Sequence, residues 1–433
     1  MSIEVDLIVH GAGQLLTLAG HGPCSGQAMD DLGIIADGAV AIADGRIVAT
    51  GTSAEIRSHY RASHTWDAAG RVVLPGFVDA HTHLVFAGSR EDEFERRIAG
   101  ASYLEIMAAG GGIMSTVRAT RAASLAQLIE EAQPRLARML AHGTTTAEAK
   151  TGYGLTTADE LKCLEAIHLL NSSQPVELVP TFLGAHALPE EYRDRAEAYV
   201  DLIVNEMLPA VCQKHHSLPG NGSPRALPFC DVFCDEGAFD LQQTERILRA
   251  AKALGMPLKV HADEFAHLGA ARLAAKLGAV SADHLLHTPA EEIAAMAAAG
   301  VIGVLLPGTP FGLGQHEYAD ARTMISAGLP VALGTDLNPG TCYCESMPLI
   351  MALACRFMKM TPAEAIVAST VNAAYAIGRG TDLGRLQPGF VADLLILAVD
   401  DYRHLAYRFG TNLVQTVIKR GNVVFNAPPV SGG

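Results

Sequence analysis

Four groups of residues in this chain are spaced as chemistry would need them. His81-Thr82-His83 sets two imidazoles two residues apart, and the alternation of a strand turns both to one face, which suits two ligands of one metal ion. Alone, such a pair is also what two ordinary histidines look like. Its setting adds weight: Asp79 shares the face, and Pro75-Gly76 turns into the segment. Further on, His261 opens HADE with Glu264 three residues later, Asp283-His284 sits in SADHLLH, and Asp336 follows Thr335. A buried carboxylate or imidazole is costly unless paired or metal-bound, so such residues recurring where apolar runs end point to a site rather than to packing. The expected ligands are His81, His83, His261 and Asp336. Three neutral nitrogens and a carboxylate suit zinc or iron rather than magnesium or calcium.

The elements that must position these groups can be counted. Eight strand-like runs cover 76–86, 143–154, 176–186, 229–237, 258–265, 281–287, 301–308 and 330–340. Helical patterns lie between them: Ser124-x-x-Gln127 and Thr157-x-x-Glu160 read as helix starts, Gly143 as a stop, and Pro134 as a kink. Eight strands alternating with helices predict an α/β fold, a (β/α)8 TIM barrel, whose chemistry sits at the C-terminal ends of the strands. Both ends of the chain read differently, as short alternating strands with turns at Asp44-Gly45 and Gly421-Asn422. They predict a small β-sandwich domain assembled from 1–75 and 387–433, with the barrel occupying 76–386.

Composition removes other classes of function. With 49% hydrophobic and 18% charged residues the chain is a folded one. Its net charge of −14 has the wrong sign for nucleic acid or anionic lipid. Eight cysteines without a CxxC, and an opening MSIEVDLIVH without a signal-peptide pattern, predict free thiols in the cytoplasm. The uncharged stretch from Ile293 to Gly314 is nominally long enough to span a bilayer, but Gly300 and Pro307-Gly308 divide it into a buried helix and a buried strand. The polar run 212–228 reads as a surface loop whose adjacent His215 and His216 face opposite ways. Gly110-Gly111-Gly112 lacks the GK[ST] of a phosphate cradle and reads as a mobile loop after a barrel strand, within a 110–118 stretch that is a candidate lid.

LPGFVDAHTH, the later histidines and aspartate, and TVNAAYAIG followed by GFVADLLIL resemble the amidohydrolase superfamily. HTHLVFAGSR, AGGGI, TTTAEAKTGYG, FLGAH, HADE, SADHL, LLPGTPF and TDLNPG narrow the resemblance to the imidazolonepropionase family of histidine degradation, over nearly the whole chain. Many two-metal relatives carry a carboxylated lysine on barrel strand 4, which FCDVFCDEG lacks, so one transition metal per chain is implied, divalent or trivalent, zinc or iron. Lys150 reads instead as an ion-pair partner of a neighbour such as Glu148.

The resemblance implies hydrolysis of the ring amide of 4-imidazolone-5-propanoate to N-formimidoyl-L-glutamate. In it Asp336 takes a proton from metal-activated water, Glu264 holds the ring nitrogen and carries a proton to the departing amidine, and His284 orients or stabilises the oxyanion. The propanoate needs a cation, and Arg90 can pair bidentately with it or, equally, bridge to Glu91-Asp92-Glu93. By resemblance Tyr153, His186 and Glu264 line the ring, although Tyr153 and His186 could also be core residues with satisfied polar tips. Asn338, Gly340 and Thr341 would contact substrate or product, Thr341 standing where family members often carry serine. A small-molecule substrate, no nucleic acid or membrane, and a homodimer are expected. Two alternatives share the motifs: a deaminase of an aminated ring such as guanine or cytosine, and a catalytically inactive barrel kept as a scaffold, which need not keep ligands and proton carriers together.

Overall fold

Alternating apolar residues draw the first segment into a long strand, Ile3–Leu16 (β1), in the computed structural model of the protein, which describes residues 2–101, 105, 110–218 and 226–428. β2 (Ile34–Ala43) and β3 (Arg46–Thr52) form the expected hairpin, with Asp44 and Gly45 both at positive φ, 51° and 70°, as a two-residue turn between twisted strands requires. β4 (Tyr60–Asp67) runs parallel to the first half of β1, and β5 (Val72–Pro75) parallel to its second half.

Eight parallel strands follow: β6 (Phe77–Asp79), β7 (Thr144–Lys150), β8 (Glu177–Ala185), β9 (Phe229–Cys234), β10 (His261–Ala262), β11 (Ser281–His284), β12 (Ile302–Leu305) and β13 (Val331–Leu333). They pair in sequence order. Past β6 the chain stays extended, and a parallel bridge from Thr82 to Leu337 joins the first strand's path to the last. This is the (β/α)8 barrel that the strand count predicts.

β14 (Leu394–Leu397), β15 (Val414–Lys419) and β16 (Asn422–Asn426) then return to the start of the chain. β14 lies antiparallel to β5, so strands from both termini make one mixed eight-stranded sheet. β1 feeds two apolar clusters: Leu7, Val9 and Leu15 join Leu394 and Ile396, whereas Val5 and Ile8 join Ala39, Ala41 and Ile56.

Four local expectations shift. Thr156, not Thr157, caps the helix Thr157–Ser173, because Glu160 is drawn away to accept the backbone N–H groups of Gly152, Gly154 and Leu155. The last hairpin turns at Arg420-Gly421, one residue early, both at positive φ. The supposed loop 212–228 is helical as far as Ser217, with Lys214, His215 and His216 in a last turn that favours cations. There His215 is buried with its ring 5.1 Å from that of His168, while 219–225 lie outside the described residues. The 110–118 stretch is helix from Ile113 onward, with Gly112 donating its N–H to Glu93 at 3.0 Å. Leu125–Ala141 is one helix through Pro134, started by the Ser124–Gln127 capping box. Among the described residues no helix is long and apolar enough to cross a membrane, and the 293–314 stretch divides into helix, strand and helix.

Candidate metal centre and its cavity

The extended backbone beyond β6 carries His81 and His83 at the C-terminal rim, held between its neighbours. Asp336 N–H donates to the His81 carbonyl at 2.9 Å, His83 N–H to the Leu337 carbonyl at 2.9 Å, and Lys150 N–H to the Thr82 carbonyl at 3.0 Å. Asp79, two residues earlier on the same face, accepts from the Thr335 N–H at 2.9 Å and its hydroxyl at 2.6 Å, which fixes the first strand against the last. Burial pushes the Asp79 carboxyl up to about 7. His284 has φ 77° and Asp336 φ 52°, in the left-handed region that L-residues adopt uncommonly.

Four side chains converge. The Nε2 atoms of His81 and His83 are 3.3 Å apart, that of His261 is 3.4 Å from that of His83, and Asp336 Oδ1 lies 3.5 Å from both His81 and His83. The other Asp336 oxygen accepts from the Thr309 hydroxyl. His81 Nδ1–H donates to Asp283 at 2.6 Å, and His261 Nδ1 faces Asp231 at 3.0 Å, so the Nε2 lone pairs of both rings point inward. Lone pairs that meet at such distances cannot satisfy one another, and they suit a cation between them. Burial, with Lys150 nearby, holds His81 well below the usual imidazole range, and burial beside His186 does the same to His83. Neutral rings are the ligating form. His284 closes a second triad with His81 and His261.

A cavity of 750 Å³ opens over this cluster. All seven residues expected to touch substrate line it: Arg90, Tyr153, His186, Glu264, Asn338, Gly340 and Thr341. Tyr153 and His186 are thus buried and site-facing at once. His186 stacks on His83 at 4.8 Å and its Nδ1–H donates to the Gly152 carbonyl at 2.9 Å, leaving Nε2 as an acceptor; burial lowers its pKa to about 3. Glu264, its carboxyl raised well above the ordinary range by burial, sits 3.4 Å from His284 Nε2. Burial likewise brings Asp336 up to about 6.

Both readings of Arg90 meet here. Its Nε and one terminal nitrogen donate to Glu93 at 2.9 and 2.8 Å, while its other terminal nitrogen lies against Gly340, where an added Cβ would stand 2.1 Å away. Glycine is what lets the guanidinium approach. Asn338 spends its amide on its own loop, accepting from the N–H groups of Gly340 and Thr341 at 2.8 Å each.

Sequence reasoning missed Asp235. At the end of β9, its carboxylate accepts from the backbone N–H groups of Glu264 at 2.7 Å, Phe265 at 2.9 Å and Ala266 at 3.0 Å. The second carboxylate of FCDVFCDEG was the available signal. Phe233, Phe265 and Arg97, also in the cavity wall, were not among the expected site residues.

Known proteins with this sequence pattern bear on the site. The model of the Amidohydrolase family matches residues 96–425, and that of the imidazolonepropionase-like composite domain of bacteria matches 38–62. An imidazolonepropionase of Chloroflexus aggregans is 54% identical over 97% of this chain and 98% of its own. One from Herpetosiphon aurantiacus is 53% identical over 97% of each. Among solved structures, an adenosine deaminase from Xanthomonas campestris with bound zinc superposes with a TM-score of 0.70 at 20% identity, over 98% of this chain and 93% of its own, a likeness of fold alone.

Proposed function

The chain belongs to the amidohydrolase family and, within it, to the imidazolonepropionases, and from that premise we propose how its own residues hydrolyse the ring amide of 4-imidazolone-5-propanoate to N-formimidoyl-L-glutamate in histidine degradation. His81, His83, His261 and Asp336 would hold the single transition metal, zinc or iron. When bound, the metal supplies Lewis acidity that eases deprotonation of water near neutral pH and polarises a carbonyl.

The remaining work falls to side chains. Asp336, oriented by the Thr309 hydroxyl, takes the proton of the attacking water. Glu264, kept protonatable by burial, holds the ring nitrogen and gives it a proton as the carbon–nitrogen bond breaks. His284, neutral and beside Glu264, orients that carboxyl and faces the developing oxyanion. His186 Nε2 accepts a hydrogen bond from the ring, Tyr153 packs against it, and Asn338, Gly340 and Thr341 shape the wall. Arg90, already oriented by Glu93, pairs with the propanoate.

The observation that carries this reading is one cavity holding a protonatable carboxyl beside a histidine cluster together with a guanidinium, as a carboxylate-bearing cyclic amide needs. A deaminase of a neutral base shares the first part and has no use for the second. The test follows loss of the imidazolone absorbance with formimidoylglutamate identified as product, and with guanine and cytosine as control substrates. Turnover of a control in place of the imidazolone moves the assignment to the deaminases, and no turnover with any of the three favours the scaffold.

A further inference from the structure

Below the rim the barrel holds a second set of charges that the hydrolysis does not use. Lys150, Lys259, Glu148, Asp231 and Asp283 are all completely buried. Replacing such a cluster with apolar side chains is commonly neutral or stabilising, so fold stability alone is a weak reason for it.

Its geometry supplies another reason. Lys150 Nζ lies 2.7 Å from Asp231 Oδ2 and 3.7 Å from Asp283 Oδ2, the two oxygens that face His261 and His81 at 3.0 and 2.6 Å. One ammonium therefore stands between the carboxylates behind two of the histidines. Glu148 braces it at 2.9 Å and is itself held by Lys259 at 3.1 Å and the Thr181 hydroxyl at 2.5 Å. Lys259 also donates to the carbonyl of Ala80, the residue before His81, at 3.0 Å.

We infer that Lys150 is a positioning residue of the metal centre, the shared anchor that fixes the angle between the His81 and His261 rings. The inference rests on reading those histidines as ligands. Asp283 accepts the His81 Nδ1 hydrogen, Asp231 favours a hydrogen on the His261 nitrogen that faces it through its charge, and the ammonium sets where the two carboxylates stand relative to each other. Without it the two anions lose their common tether and the Nε2 lone pairs diverge. Partners behind a ligand typically matter by about 10–100-fold in metal affinity.

The test strips the full chain with a chelator and titrates zinc back against a chromophoric competitor, with the visible spectrum of the cobalt-loaded protein as a second readout. Lys150→Met is expected to bind zinc ~10–100-fold more weakly and to change the cobalt spectrum, with KM of the zinc-saturated enzyme unchanged. Lys259→Met, whose ion pairs are with Glu148 and, at 3.9 Å, Asp283, is expected to lose less affinity. A purely structural cluster would lower the melting midpoint in both variants and leave zinc affinity and the cobalt spectrum at wild-type values, which overturns the inference. Should Lys150→Met fail to fold, the charge-balanced Lys150→Met/Asp231→Asn variant takes its place, and wild-type zinc affinity in it overturns the inference equally. A wild-type chain that takes up neither metal refutes the ligand assignment itself, so the two failures stay apart.

Discussion

The two ends of the barrel handle charge in opposite ways. At the C-terminal rim His81, His83, His261 and Asp336 turn like functions toward one another and leave lone pairs facing lone pairs. At the other end Glu177, the first residue of β8, is met by Lys419 at 3.6 Å, by Arg420 at 2.9 Å and by Arg379. Lys419 and Arg420 belong to the sheet of the termini, so Glu177 is where that sheet is pinned to the barrel. One end is complete by itself, and the other is arranged for a guest. Substitutions at the rim should therefore cost function, and those at Glu177 should cost stability.

The largest expected effect tests the rim. His83→Ala should abolish retention of the metal and lower turnover by more than ~10³-fold, measured by metal analysis beside the imidazolone assay. Glu264→Gln keeps shape but cannot exchange a proton, and kcat should fall ~10²–10⁴-fold with the metal retained. Near-normal turnover would take Glu264 out of the proton path.

Arg90→Ala should raise KM for imidazolonepropanoate ~10–100-fold, the scale of a lost charged hydrogen bond, with little change in kcat. Gly340→Ala should move KM the same way by less, because its methyl displaces the guanidinium without removing it. An unchanged KM in Arg90→Ala would leave the residue as a partner of Glu93 only.

The smallest effect on activity belongs to the far end. Burial opposes ionisation of Glu177, but Lys419, Arg379 and Arg420 outweigh it and hold the carboxyl down to about 2, below its ordinary 4.5. A carboxyl depressed in the folded state stabilises fully above its ordinary value and loses that contribution as pH falls toward the folded one. Glu177→Gln should thus lose about 2–3 kcal/mol near neutral pH, with the gap to wild type closing as pH drops from about 4.5 to about 2. Turnover of the folded variant should be normal. A fall in kcat would break the division between the two ends.

Strands and motif residues were legible because their signals are local. Apolar runs mark the eight strands, and HxH, HADE, SADH and TD each carry their chemistry within a few residues. What stayed hidden is non-local. Nothing near Lys150 in sequence reveals that its ammonium also meets Asp231, 81 positions on. Asp235 acts through backbone N–H groups about 30 residues away, which leave no mark in side-chain type. The helix over 208–217 was obscured by the Pro- and Gly-rich run directly after it, and the cap at Thr156 by a neighbouring threonine with an equally good glutamate.

The sheet built from both termini also sets an order of events during synthesis. Arg385 donates to the carbonyl of Leu18, 367 positions earlier, and β14 must find β5 across the whole barrel. At ribosomal rates of about 5–20 residues per second, β5 waits roughly 15–60 s for that partner. During this interval the edge of β5 that β14 will cover offers unpaired backbone groups to any passing strand. The nascent chain is therefore most vulnerable to wrong pairing before its C-terminus exists, and a truncation that removes only β14 to β16 would make that state permanent.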